Sequence, residues 1–240
     1  MPFPLAHPAA VLPLRRLCPQ WLDFPALVIG SMVPDLGYAF GAARVSEFSH
    51  RLFPGALVFD LPVGLASWLI FSVLRRPVTE RLPGNYRAAL LPSCQQPVGL
   101  SGRLFVSLAI GILSHLLLDS ATHTDGWILR RLMSLSRFAF GLGHNEHKAG
   151  DILYYVCSFI GVGWLTLSYW QWLEGSVGLA RPRHPGVKIA AATLFASLML
   201  LVGGLARGME LTGLVMIGAI SLLLAAGFLI AADRVAARSS

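Results

Sequence analysis

Charge is what this sequence lacks first. Of its 240 residues only 13% are Asp, Glu, Lys or Arg, about half the share typical of soluble domains. Cysteine is scarce too. Cys18, Cys94 and Cys157 are far apart and odd in number, which excludes a disulfide framework or a CxxC metal site and leaves them as small apolar fillers. No GxSxG nucleophile elbow and no Gly-rich phosphate loop occurs. Internal repeats, low-complexity tracts and period-2 alternation are absent as well, and the last of these speaks against a barrel. The formal net charge is +7, but the basic residues form short clusters between apolar runs. No basic face with interleaved aromatics exists, so nucleic acid is not an expected partner. The opening stretch MPFPLAHPAAVLPLRR has no positive charge ahead of its apolar part and is interrupted by prolines. It is therefore read as a retained segment rather than a cleaved signal peptide.

What the chain has instead is apolar length. Hydrophobic residues make up 55% of it, and the mean hydropathy is +0.65. Five runs, roughly 53–74, 104–123, 152–173, 187–206 and 211–232, are long enough to span about 30 Å of hydrocarbon as helices. A sixth, about 17–33, is broken by Pro19 and Pro25 and reads either as a short span or as a re-entrant segment. Residues 5–14 read as a short helix at the interface. The expected fold is thus an all-α integral membrane protein with five to six transmembrane helices and short N-terminal helical segments. Residues 1–175 carry the polar groups, and 176–240 supply two apolar scaffold spans of the same structural unit.

The connecting segments suggest a topology. Arg75, Arg76, Arg81, Arg87 and Arg103 fall in one connection, Arg181, Arg183 and Lys188 in another, and Arg234 and Arg238 in the tail. Placing these ten in the cytoplasm puts seven Lys or Arg in the segments 34–52, 124–151 and 207–210 on the other side, with Arg15 and Arg16 in the N-terminal segment not counted, the direction the positive-inside rule requires. The expected location is a bacterial cytoplasmic (inner) membrane, with the polar ends of the first spans facing outside the cytoplasm and the lipid bilayer as the chief partner.

Ionisable groups inside a span cost about 2.5–3.5 kcal/mol each and persist by facing a partner, a cavity or an ion. Asp60 lies in the first run; His115, Asp119 and His123 lie in the second. Positions i, i+4 and i+8 step about 40° around a helix, so the last three form one stripe. Imidazole and carboxylate at i and i+4 can ligate one ion. Zinc suits that donor mix best, and manganese and iron also fit. The competing reading is a His–Asp hydrogen bond that seals helix packing. On the same proposed membrane face the sequence places His7, Asp35 after Pro34, His50, and His144, His147 and Asp151. For His144 a solvated loop is the plainer reading.

Four stretches, MPFPLAHPAAVLPLRR, PALVIGSMVPDLGY, SHRLFPGALVFDLPVGL and LSHLLLDSATHTDGW, together resemble an uncharacterised family of bacterial multi-pass membrane proteins, domain of unknown function 4184. The resemblance covers about residues 1–170. That family is distantly similar to the LexA-regulated membrane-bound metal-dependent hydrolases. The matching positions here are His7, Pro34 with Asp35, Ser49 with His50, and Ser114 with His115 and Asp119. The chain departs from the hydrolase pattern in having Leu-Gly rather than a second acid after Pro-Asp, and in lacking a His-Arg-Gly before the second histidine. A further similarity, to zinc-dependent phospholipase C and single-strand nucleases, lies in the order of His and Asp residues along the chain.

The expectation is a divalent metal site, zinc by preference, with His115 and Asp119 as core ligands and Asp35 and His50 completing them. His7 and His123 are further ligands or acid–base groups, and Asp60 or His123 is the group to orient water. The expected activity is hydrolysis of a lipid-borne ester or phosphodiester. Two alternatives stay open: a small transporter or proton path lined by the same residues, and a structural protein using them as interhelical polar contacts.

Overall fold

The computed structural model describes residues 6–18, 20–39, 43–51, 54–95, 99–123, 126–140, 146–177 and 185–206. Among them every regular element is helical. The helices are α1 (His7–Leu17), α2 (Phe24–Gly30), α3 (Leu36–Ala39), α4 (Ala43–Ser49), α5 (Leu61–Glu80), α6 (Gly84–Cys94), α7 (Gly102–Thr122), α8 (Trp127–Phe140), α9 (Glu146–Trp172) and α10 (Pro185–Ala206). A single 3₁₀ turn, Val33–Asp35, joins α2 to α3, and a π turn, Ala56–Asp60, leads into α5. Contacts divide the chain into two compact units, Met1–Tyr154 and Tyr155–Ser240, with the boundary inside α9.

In the first unit α7 is the axis. Its start is fixed by Ser101, whose Oγ accepts the Leu104 N–H at 3.3 Å, and a largely apolar sequence, with Arg103, His115 and Asp119 as its ionisable residues, carries it for 21 residues. It ends where His123 leaves helical geometry at φ −84°, ψ 141°. Helix α2 begins with Asp23 as cap. The Asp23 side chain accepts the Ala26 N–H at 2.9 Å, and its own N–H donates to Ser107 Oγ on α7 at 2.7 Å. Pro25 occupies the first turn, where no N–H is needed. The start of the seven-residue α2 is therefore tied to α7, and it packs along α7. The Arg103 guanidinium adds a hydrogen bond to the Leu22 carbonyl.

Two glycines set the spacing between these helices. A Cβ on Gly30 would lie 2.5 Å from the Leu108 carbonyl, and one on Gly111 would lie 2.9 Å from Gly30 Cα and 2.8 Å from Ser31 N. The backbones meet where neither residue has a side chain, as small residues allow in helix pairs. Around this contact Ala26, Trp68, Leu104 and Leu108 form one buried cluster with Ile29, Leu61 and Leu65 packed on it. Val11, Leu22 and Leu27 form another with Leu14 and Ile110. Helices α1, α2, α5 and α7 share this core.

Two helices are long and apolar enough to cross a membrane, Ala56–Glu80 and Gly102–Thr122. They match the expected runs at 53–74 and 104–123. The runs at 152–173 and 187–206 fall on α9 and α10, and 211–232 lies outside the described residues. The broken segment 17–33 contains α2, too short at seven residues to cross about 30 Å. Three stretches between the expected runs hold helices as well, the first being 34–52 with α3 and α4. Segment 75–103 contains the end of α5 and all of α6, and segment 124–151 contains α8.

In the second unit the last turns of α9 pass into a π turn, Leu173–Val177, where Trp170 Nε1 donates to Glu174 Oε1 at 3.1 Å. On α10 the hydroxyls of Thr193 and Ser197 donate to carbonyls one turn back, at 2.8 and 2.6 Å, which satisfies them within an apolar helix.

Candidate metal centre

Four segments of the first unit deliver polar side chains to one buried place. His7 is the first residue of α1, where Pro8 occupies the opening turn. Asp35 closes the 3₁₀ turn that ends the α2 segment. His50 follows the last residue of α4. His115 and Asp119 sit one turn apart on α7. His7 and His115 have no exposed surface, and Asp35 and Asp119 retain 6% and 4%. His50 is the least buried of the five, with 19% of its side chain exposed.

Asp35, His50, His115 and Asp119 form a group able to hold a metal ion, each offering one donor atom, with all four donors within 4.8 Å of one another. His50 Nε2 lies 3.0 Å from Asp119 Oδ2 and 3.3 Å from His115 Nε2. His115 Nε2 lies 3.5 Å from Asp119 Oδ2 and 3.8 Å from Asp35 Oδ1. Next to the other oxygens of the carboxylates, His7 Nε2 stands 3.8 Å from Asp35 Oδ2 and 3.6 Å from Asp119 Oδ1. Its ring stacks on that of His115, centroids 3.8 Å apart and planes at 18°.

The orientation of His115 is set from outside the group. Its Nδ1 lies 2.8 Å from the Ser31 carbonyl, an acceptor only, so Nδ1 carries a proton and Nε2 is the nitrogen turned to the cluster. A ligating histidine is commonly held by such a bond to its second nitrogen. Ser31 can reach His115 because Gly30 and Gly111 let α2 and α7 close together one turn earlier. The sequence gives no direct sign of this partner, since a backbone carbonyl carries no side-chain signature. Gly111 four residues before His115 is the nearest clue.

The donor set is poorly satisfied by its own members. Among the described residues both ring nitrogens of His7, both oxygens of Asp35 and Asp119 Oδ1 are buried without a hydrogen-bond partner. Buried polar groups are ordinarily paired. Burial, reinforced by the neighbouring His115, pushes the His7 pKa down to about 3, so that ring is neutral at physiological pH and available as a donor. Burial likewise pushes Asp35 above the ordinary carboxylate range, because a lone negative charge is costly in a dry site.

The remaining sequence-selected residues lie around this group. His123 Nε2 is 3.7 Å from Asp119 Oδ2, with 34% of its side chain exposed. Asp60, fully buried at the end of the π turn, is not among the four. Its Oδ1 accepts a hydrogen bond from Ser49 Oγ, which ties α5 to the residue next to His50. His147 and Asp151 lie on α9, but their side chains, like His144 as a whole, are outside the described residues.

Fold and site together define a helical protein with a buried His/Asp cluster suited to a metal ion and with two helices capable of crossing a membrane. The chain belongs to the family described as Domain of unknown function (DUF4184), whose model matches residues 1–232. No curated protein and no solved structure matches it.

Proposed function

We propose that the protein is a multi-pass membrane hydrolase whose divalent metal is held by Asp35, His50, His115 and Asp119. The observation that carries this reading is the convergence of these donors from three segments, with buried donor atoms that lack partners. Two carboxylates brought together in a dry place are costly when ionised, and a dication offsets their charge. Such an ion supplies Lewis acidity and lowers the pKa of a bound water toward ~7. The surrounding residues then have separate tasks. Ser31 fixes the His115 tautomer. His123, near Asp119 and partly exposed, is placed to exchange a proton with solvent. Asp60 braces the His50 segment through Ser49.

The membrane reading rests on what surrounds the two long helices. Only 17% of the apolar window of Ala56–Glu80 and 44% of that of Gly102–Thr122 is buried within the protein, whereas the core helix of a soluble domain hides most of its surface. Leu69, Ile70, Val73, Leu74, Val106 and Leu117 remain exposed, a far larger apolar area than a water-facing surface carries. At 27 and 22 residues, α9 and α10 measure roughly 40 and 33 Å, enough to cross as well. The cluster lies near the end of α7 opposite the arginines at 75–103, which supports a site on the side away from the cytoplasm. A lipid-borne ester or phosphodiester is the substrate class such a position can reach. Zinc suits the donor set best.

The test is elemental mass spectrometry of the detergent-purified protein, wild type beside His115→Ala and Asp119→Ala, followed by assay against lipid esters and phosphodiesters. The expected result is near-stoichiometric metal in the wild type, lost in both variants while helicity is retained, and metal-dependent release of product. Wild-type protein that takes up no zinc or manganese would leave His50 and Asp119 as interhelical polar contacts and end the hydrolase reading.

A further inference from the structure

The two carboxylates of the cluster each face two ways. Asp35 Oδ1 and Asp119 Oδ2 lie toward His50 and His115, at 3.0 to 3.9 Å from their Nε2 atoms. Asp35 Oδ2 and Asp119 Oδ1 lie toward His7, at 3.8 and 3.6 Å from its Nε2. We infer that the site holds two divalent cations side by side, the second bound by His7 Nε2, Asp35 Oδ2 and Asp119 Oδ1, with both carboxylates bridging. This inference rests on the metal-site reading above and extends it.

Three observations carry it. The first is reach. Two donors on one ion, each about 2.0–2.2 Å from it, stand no more than about 4.4 Å apart, and both separations from His7 fall within that limit. The second is the state of the atoms. His7 Nε2, Asp35 Oδ2 and Asp119 Oδ1 are all buried without a hydrogen-bond partner among the described residues, although His7 has no exposed surface at all. One ion among Asp35, His50, His115 and Asp119 accounts for the inner oxygens and leaves these three atoms unused. The third is the stacked pair of rings. His7 and His115 lie nearly parallel with centroids 3.8 Å apart, which sets two imidazoles side by side against the same pair of carboxylates, as a pair of ions about 3.5–4 Å apart requires.

The experiment loads the full-length, detergent-purified protein with Mn²⁺ alone. Ions per chain are counted by elemental mass spectrometry, and the electron paramagnetic resonance spectrum is recorded for wild type, His7→Gln and His7→Ala. The expected wild type holds two ions per chain with an exchange-coupled spectrum, while both variants hold one ion with an isolated-ion spectrum and unchanged helicity by circular dichroism. One ion in the wild type overturns the second position but leaves the single-metal reading standing; none overturns both. Two uncoupled ions, two ions retained in the variants, or loss of both ions from folded variants each removes His7 from a second site.

Discussion

At the scale of single residues, the cluster shows how a few atoms decide what a polar group is for. His115 and Asp119 face the site through their spacing on α7, but the His115 ring is oriented by a carbonyl 84 residues away in sequence. Asp60 is handled differently. It is fully buried, and Ser49 supplies its hydrogen bond. Removing that hydroxyl leaves a buried carboxyl oxygen without its donor, a change that costs about 1–3 kcal/mol. Ser49→Ala is therefore expected to lower the resistance of the detergent-solubilised protein to denaturant by that amount, read from the loss of helical circular dichroism; an unchanged midpoint would show that the bond contributes nothing. The grouping of Asp35, His50, His115 and Asp119 was legible from the sequence, because ionisable residues in apolar surroundings are conspicuous and four-residue spacing gives a helical face. The Ser31 carbonyl and the stacking of His7 on His115 were not, since both are meetings through space of segments that carry no mutual pattern.

At the scale of elements, the site depends on how closely α2 approaches α7. The contact of Gly30 with Gly111 brings Ser31 within reach of His115. A methyl at position 111 must push α2 outward or distort α7, and overpacking of this kind costs about 1–3 kcal/mol. Gly111→Ala is expected to lower stability by that amount and to weaken metal retention measured by competition with a chelator. Gly163→Ala on α9, where a Cβ meets nothing within 4 Å, serves as the control and is expected to shift stability by no more than about 1 kcal/mol, in the favourable direction. If the two variants behave alike, helix proximity is not what positions Ser31. The long apolar helices could be located from the sequence, and α7 falls within two residues of the expected run at its start. Helices α6 and α8 could not, because their mixed, Arg-containing sequences resemble loops when only apolar length is scored. On α8 the apolar Leu129 is buried while Trp127, Arg130 and Arg131 are exposed, an amphipathic pattern that hydropathy averaging hides.

At the scale of the whole molecule, the exposed apolar flanks of α5 and α7 are the feature that demands an environment. Ile70, near the middle of the Ala56–Glu80 span, is 60% exposed. In water, replacing it with Asp would be a surface change worth about 0.5 kcal/mol or less; in lipid it costs about 2.5–3.5 kcal/mol. Ile70→Asp is expected to deplete the protein from carbonate-washed membranes. Equal recovery of variant and wild type would place that face in contact with water or another protein. The same burial that isolates the donors also governs time. Four of the five surround the site at 0–6% exposure, and only the edge of His50 reaches solvent at 19%. Any ion held among them would reach solvent past the edge of His50, so it is expected to exchange more slowly than one on an open surface.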